Sequence, residues 1–346
     1  MPPVHLSLSP AAEFGKRKPM FRFLTGFFCV ALILLVSGSS GSARVSRWVG
    51  GTIQITSARV EKPDIVTSPP LAFIRAWELA SGHNAFGGIS GLTKNRDGFL
   101  ALSDLGALIR FRITADERVR GGSIMPLPKG CLPDMREASR DTESLTQDPA
   151  TGQIWIGFES RNAICRTNHE GTEALAVYAP PDMEKWRNVR GPESMIRLHD
   201  GRFLIIAEEP PQGGDFSPAL LFDRDPTDPA ARRLHLRYQP PAGFHPTDAV
   251  ELPDGRLLVL NRRFSLPFRF ASQITIVDPP TQNSDIILKG PIVATMESPG
   301  LNDNFEALAL SQNGGRTFLW VMSDDNYIPL QRTYLLLFEI KQQPQP

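Results

Sequence analysis

The 346-residue chain is 41% hydrophobic and 21% charged, an ordinary globular composition. Its 37 acids balance its 37 bases, so no overall field draws a polyanion and no nucleic-acid partner is expected. Frequent proline and glycine, 31 and 28 residues, disfavour long helices and suit many short strands joined by turns.

The first element in chain order is a leader. Lys16, Arg17, Lys18 and Arg22 precede an apolar run, Phe23 to Val36, and then "SGSSGSA" ending at Ala43. This is the order of a secretory signal, with Gly41 and Ala43 at the two positions that decide cleavage. A retained inner-membrane anchor facing the periplasm is the rival reading, and would be the chain's sole membrane contact. Both readings send the rest of the chain outside the cytoplasm, periplasmic or secreted. The expected organisation is a leader over 1–43, a linker with an extra strand over 44–69, one domain over 70–340, and a tail over 341–346.

Three cysteines are present. Cys29 belongs to the leader. Cys131 and Cys165 remain, and in an exported protein they can pair as a disulfide, although two separate buried thiols fit the spacing as well. Neither lies in a CxxC or Cys/His cluster, so a thiolate zinc site is not expected.

From residue 87 onward one unit recurs five times. The copies begin "GGISGL", "DTESL", "GPESM", "PTDAV" and "NFEAL". Aligned on their polar residues, Ser90, Glu143, Glu193, Asp248 and Glu306, they are spaced 53, 50, 55 and 58 residues apart. Each start is followed by a Gly-, Asp- or Asn-rich turn and a second apolar run: "FLALSD", "IWIGFE", "FLIIAE", "LLVLNR", "FLWVMSD". The pair reads as a hairpin whose second strand is buried on both faces. Further strand-like runs follow in several units. Four short strands in roughly 50 residues are the mark of a β-propeller blade. The expected fold is therefore all-β, a propeller of five visible blades with a sixth left open. The last unit lacks an outer strand, and "TIQITSARV" or "LAFIRAWEL" near the N-terminus is expected to complete it.

In a propeller, equivalent residues of successive blades form rings about the axis. Ser90, Glu143, Glu193, Asp248 and Glu306 would form one. Asp104, Glu159, Glu208, Arg262 and Asp324, each following the second apolar run, would form another. Hairpin geometry brings the two rings to one face. Carboxylates so close repel, and three compensations are open: a hard cation such as Ca2+, arginines (Arg190, Arg262, Arg263), or raised pKa values suited to acid–base work. The bland alternative is that individual acids accept backbone amides. His245 precedes the fourth unit's acid and is expected to face the same site. His83 and His199 lie near loops without a clear task, and His169 and His235 read as solvated. Trp155, Trp186 and Trp320 read as blade packing, with Trp186 in a loop that approaches the acidic face. "DDNY", 324–327, has oxygens for Ca2+ but not EF-hand spacing. GxSxG, P-loop and GxGxxG motifs are absent from the sequence.

The five units together, over about residues 70–340, resemble the phytase-like domain, or esterase-like activity of phytase, family. The resemblance implies an exported bacterial propeller whose recurring acids serve phosphoester hydrolysis. It implies metal-binding roles for Glu143, Glu193, Asp248, Glu306, Asp104, Glu159, Glu208 and Asp324, while Ser90 and Arg262 depart from an all-acid pattern. The expectation is a monomeric Ca2+-assisted hydrolase of a small phosphoester or other anionic substrate. Glu193 or Glu306 would orient water, and Arg190, Arg262, Arg263 and His245 would hold the substrate. A non-catalytic module binding a cation, sugar or protein, and a lactonase-type esterase, are the alternatives.

Overall fold

The computed structural model describes residues 49–341, apart from 62, 115, 132–140, 187–190, 210–213, 268 and 281–285. The expected leader and Arg190 therefore lie outside the described residues. No helix among the described residues is long and apolar enough to cross a membrane.

Five sheets, antiparallel apart from a two-residue parallel edge strand, Ile287–Leu288, on the third, follow one another along the chain, and their inner strands contact in sequence and close into a ring. These strands are Ile89–Asn95, Thr142–Gln147, Pro192–Arg197, His245–Glu251 and Asn304–Asn313, in blades 1 to 5. The propeller has five blades, which settles the open count. Closure works as a strand exchange: Leu71–Ser81 pairs with the last strand, Thr333–Ile340, and Ile55–Arg59 adds a further strand outside it. Both N-terminal candidates thus join blade 5. Two-residue strands, Gly51–Thr52 and Val66–Thr67, also edge blades 1 and 4. The segment expected as a linker with an extra strand supplies three short strands, one each to blades 1, 4 and 5.

The near-continuous apolar second strands follow from this architecture. In Leu257–Ser265, Leu257 and Val259 pack against blade 3, while Leu258 and Leu260 pack against blade 5. In Phe203–Ala207, Phe203 and Ile205 face blade 2, and Leu204 and Ile206 face blade 4. Alternation then has no polar side, because both faces are covered. The core is accordingly five clusters, one at each blade interface. Trp320 and Trp77 stack at the blade 5–1 interface, their ring centroids 6.0 Å apart. Trp155 and Trp186 are buried between blades 2 and 3. Cys131 and Cys165 are joined in a disulfide inside the blade 1–2 core, with Cα atoms 5.3 Å apart. It ties the chain leaving blade 1 to the third strand of blade 2, Ala163–Thr167.

Candidate functional site

At the start of each inner strand the ladder slips by one residue. In blade 1, Ile89 pairs with Ser103 and Gly91 with Leu102, leaving Ser90 extra. The same slip leaves Glu143, Glu193 and Glu306 extra in blades 2, 3 and 5. A bulged residue escapes the period-2 alternation, so its side chain is released from the packed blade faces. This is how four blades aim a polar group at the channel mouth.

Blade 4 differs by one position. Pro246 pairs with Asn261 and Asp248 with Leu260, so the extra residue is Thr247. The ring is Ser90, Glu143, Glu193, Thr247 and Glu306, and Asp248 is not a member. Its carboxylate instead accepts the N–H of Ala249 at 2.8 Å and of Leu308, on blade 5, at 2.7 Å. Burial raises its pKa well above the usual range, even with two amides favouring the charge. Asp248 clamps two blades together. Aligning acid with acid across the units conceals the bulge, which is a property of strand pairing.

The acids of blades 2 and 3 converge. One oxygen from each of Asp141, Glu143 and Glu159 lies within 4.8 Å of the others, as does one from each of Glu159, Glu193 and Glu208. Glu159 belongs to both groups. It follows the second strand of blade 2, in the short turn Glu159–Arg161, and accepts the Gly191 N–H at 3.3 Å. A Cβ on Gly191 would fall 2.4 Å from the Asn162 side-chain oxygen and 3.3 Å from the Glu159 Cα, so a larger residue there would push Asn162 aside. Asp141 hydrogen-bonds to Glu159 and Glu143, and Glu159 to Glu193. Carboxyl groups can share hydrogen bonds only with a proton between them. Burial, then mutual repulsion, pushes Glu159 up to about 8 and holds Glu143 and Glu193 well above the carboxylate range. Asp141 is raised by burial, against the pull of its hydrogen bonds.

Blades 4, 5 and 1 treat their acids differently. Arg262 donates to Glu208 at 2.9 Å with one guanidinium nitrogen and to Asn304 at 3.0 Å with another, which also pairs with Glu306 at 2.9 Å. Asn304 in turn donates to Glu306 at 2.8 Å and Asp324 at 3.1 Å. Burial alone would lower the Arg262 pKa, but Glu306, Glu208, Glu193 and Asp324 outweigh it and hold it above its usual value. Burial raises Glu306 while Arg262 opposes the shift. Asp324 is raised well above its usual value by burial and then by Glu306, and Asp104 is pushed up to about 8 by burial and then Glu306 and Asp141.

The rest of "DDNY" is structural. Asp325 accepts the Gly88 N–H at 3.0 Å, and the Tyr327 hydroxyl donates to the Gly87 carbonyl at 2.9 Å. Together they staple the blade 5 loop onto blade 1. Tyr327 adopts a left-handed φ of 52°, which a bulky side chain rarely takes without such anchoring.

The structure therefore gathers Asp104, Glu143, Glu159, Glu193, Glu208, Glu306, Asp324 and Arg262 at one mouth. His245 lies at its edge, with Nε2 3.5 Å from Glu209. Arg263 is not brought in: alternation turns it to the opposite face of the strand from Arg262, over the Phe244 ring at 4.5 Å and 3.9 Å from Glu297. His199 sits in the inner hairpin turn of blade 3, at the far end of the strand from the acids, beside Glu251. Two members of the site were not nominated from the sequence, Asp141 and Asn304. Each stands two residues before its ring acid, so the same register read two places upstream would have found them.

With that geometry in place, the family is decided by sequence. The profile of the phytase-like family, described as esterase-like activity of phytase, matches residues 84–327. The chain belongs to this family. No curated protein matches it significantly. Among solved structures, the allergen Mala s 1 of Malassezia sympodialis is 14% identical, with 82% of this chain and 95% of that one covered, at a TM-score of 0.42. Regucalcin from Agrobacterium tumefaciens, a calcium-binding protein, is 16% identical over 86% and 92%, at 0.40. Neither likeness, at that identity and TM-score, says what this phytase-like chain binds or does. Its own donor set is more informative. Both three-acid groups consist of carboxylate oxygens alone, hard ligands that suit Ca2+, Mg2+ or Mn2+ and not a thiophilic metal.

Proposed function

We propose that this phytase-like propeller is an exported, Ca2+-assisted hydrolase of phosphoesters. The observation that carries the reading is Glu159 shared between two carboxylate groups, with Arg262 bordering them through Glu208. Asp141, Glu143, Glu159, Glu193 and Glu208 would hold the cation. When bound, it would neutralise these acids and polarise a phosphoryl oxygen. Arg262, already placed between Glu208 and Glu306, offers a planar donor fork to a phosphate. Glu306, tied to Arg262 and Asn304, positions that arginine, so the water-orienting role falls to Glu193. Its burial and neighbours leave it a strong proton acceptor once ionised. His245, half-exposed at the rim, is suited to contact a leaving-group oxygen. Export is supported by the leader-like sequence of residues 1–43 and by the Cys131–Cys165 disulfide.

The test is turnover of phytate and simple phosphomono- and diesters by purified protein, with added Ca2+ and with chelator. The expected result is hydrolysis that chelator abolishes, Ca2+ restores, and Glu159→Gln loses. An absence of turnover on every substrate overturns the catalytic reading. A binding module is the second reading, favoured because Arg262, Asn304, Glu306 and Asp324 satisfy one another without a ligand. Calorimetric Ca2+ binding without turnover would select it.

A further inference from the structure

The second and third strands of blade 4 run further than their counterparts. In blades 1, 2, 3 and 5 the ladder between these strands ends at Ser103–Ala107, Phe158–Ala163, Ile206–Ala219 and Met322–Leu335. The matching level in blade 4 is Asn261–Gln273. There the ladder continues through Arg262–Ser272, Arg263–Ala271, Phe264–Phe270 and Ser265–Arg269. The first added rung holds Arg262, level with the acids, and the three beyond it, at about 3.4 Å each, lift this hairpin roughly 10 Å above them. It rises from Arg262, the residue that grips Glu208 and Glu306.

The composition of the extension is unlike the site below it. Residues 262–272, "RRFSLPFRFAS", contain three arginines, three phenylalanines and no acid. Phe264 is 39% exposed and Leu266 61% exposed, close beside a site built of charges. Phe264 lies on the same strand face as Arg262, two residues on, and its ring meets that of Phe270 at 5.0 Å. The base of the hairpin is held by Arg263 against Phe244 and Glu297. A fully polar ester would gain nothing from such a wall, whereas apolar surface beside a few convergent charges is the usual pattern of a recognition site.

We infer that this hairpin is the apolar wall of the acid site, and that the substrate is amphipathic. Its anionic ester head meets Arg262 and the carboxylate cradle, and an alkyl, acyl or aryl part lies against Phe264, Phe270 and Leu266. This deepens the hydrolase reading and rests on it.

The experiment compares hexyl phosphate with methyl phosphate as substrates, and hexylphosphonate with methylphosphonate in calorimetry, all with Ca2+, for the wild type and for Phe264→Ser/Leu266→Ser. Both replaced side chains are solvent-exposed, and an unchanged thermal melt verifies folding. The wild type is expected to favour the hexyl compound by about tenfold or more, from burial of a few methylenes. In the variant that ratio should collapse toward one. Turnover of both substrates with a wild-type ratio near one, or with a ratio the variant leaves intact, overturns this inference and spares the hydrolase. Failure of all four compounds to bind or react overturns the hydrolase reading and this inference with it. Sedimentation of wild type, but not variant, with phosphatidylglycerol vesicles, without chain-length preference, would reassign the hairpin to a membrane surface and overturn the substrate wall.

Discussion

On blades 2 and 3, carboxyl meets carboxyl: Asp141, Glu143, Glu159, Glu193 and Glu208 gather in two overlapping groups, and burial raises the pKa values of Asp141, Glu143, Glu159 and Glu193. On blades 4 and 5, carboxyl meets guanidinium and amide: Arg262 and Asn304 divide themselves among Glu208, Glu306 and Asp324. Both halves descend from one repeated unit. Two substitutions separate them. Arginine stands at 262 where the other units carry an acid, and threonine at 247 where three carry glutamate. One half thus comes complete with its own cation, Arg262, and the other is incomplete, its carboxyls facing only one another. A ring of equal acids would have offered a cation no preferred side. This lopsidedness leaves carboxyls facing one another on one side and a guanidinium among the acids on the other.

Removing the resident cation of the complete half should have the largest effect. Arg262→Met leaves Glu208 and Glu306 buried without their partner, and the expected cost is about 3–5 kcal/mol, as for other broken buried pairs. Chemical denaturation of metal-stripped protein measures it. If the loss is under about 1 kcal/mol, the two halves do not differ as described.

Next in size is the response of the incomplete half to Ca2+. At a hundredfold excess over its Kd, one bound ion should add about 2.7 kcal/mol of stability. Without metal Glu159, together with Asp104 on blade 1, should make stability depend on pH. Glu159 lies at about 8 in the folded protein against an ordinary value of 4.5. The folded state therefore binds more protons between those values, and stability must fall as pH rises from about 4.5 to about 8. Added Ca2+ should flatten or reverse the slope, since binding displaces those protons. Thermal melts across that range, with and without chelator, test both effects. A pH-independent melt that ignores Ca2+ would leave the acids a purely structural role.

Glu193→Gln sharpens the contrast further. Glutamine mimics the protonated acid, so above pH 7 the stripped variant should gain about 1 kcal/mol while its Ca2+ affinity falls about tenfold or more. Glu306→Gln should lose stability instead, because Arg262 then faces a neutral partner. Equal signs for the two variants would merge the halves into one.

Much of this was legible in the sequence. Five apolar second strands with turns before them declare a propeller, since strands covered on both faces need no polar alternation. The second ring was legible too, because it directly follows those strands and inherits their register. The first ring was readable in four units and misread in the fourth. The sequence "PTDAV" presents Thr247 and Asp248 side by side, and only the pairing of Pro246 with Asn261 decides which one is bulged. The Cys131–Cys165 bond was undecidable from spacing, since it depends on two blades lying side by side. The two-residue strands at 51–52 and 66–67 carry no pattern long enough to read.

The smallest effect belongs to that misread position. Asp248 accepts two backbone amides across the blade 4–5 interface. Asparagine can accept with its one oxygen and turns an N–H toward the other donor, so Asp248→Asn should cost about 1 kcal/mol of stability. Its Ca2+ affinity should stay within about twofold of wild type, since distant independent sites combine additively. Thr247→Glu, in contrast, adds an acid beside Arg262 and should alter Ca2+ binding. Calorimetry on the pair decides the register functionally: if Asp248→Asn weakens Ca2+ binding and Thr247→Glu does not, the ring runs through Asp248 after all.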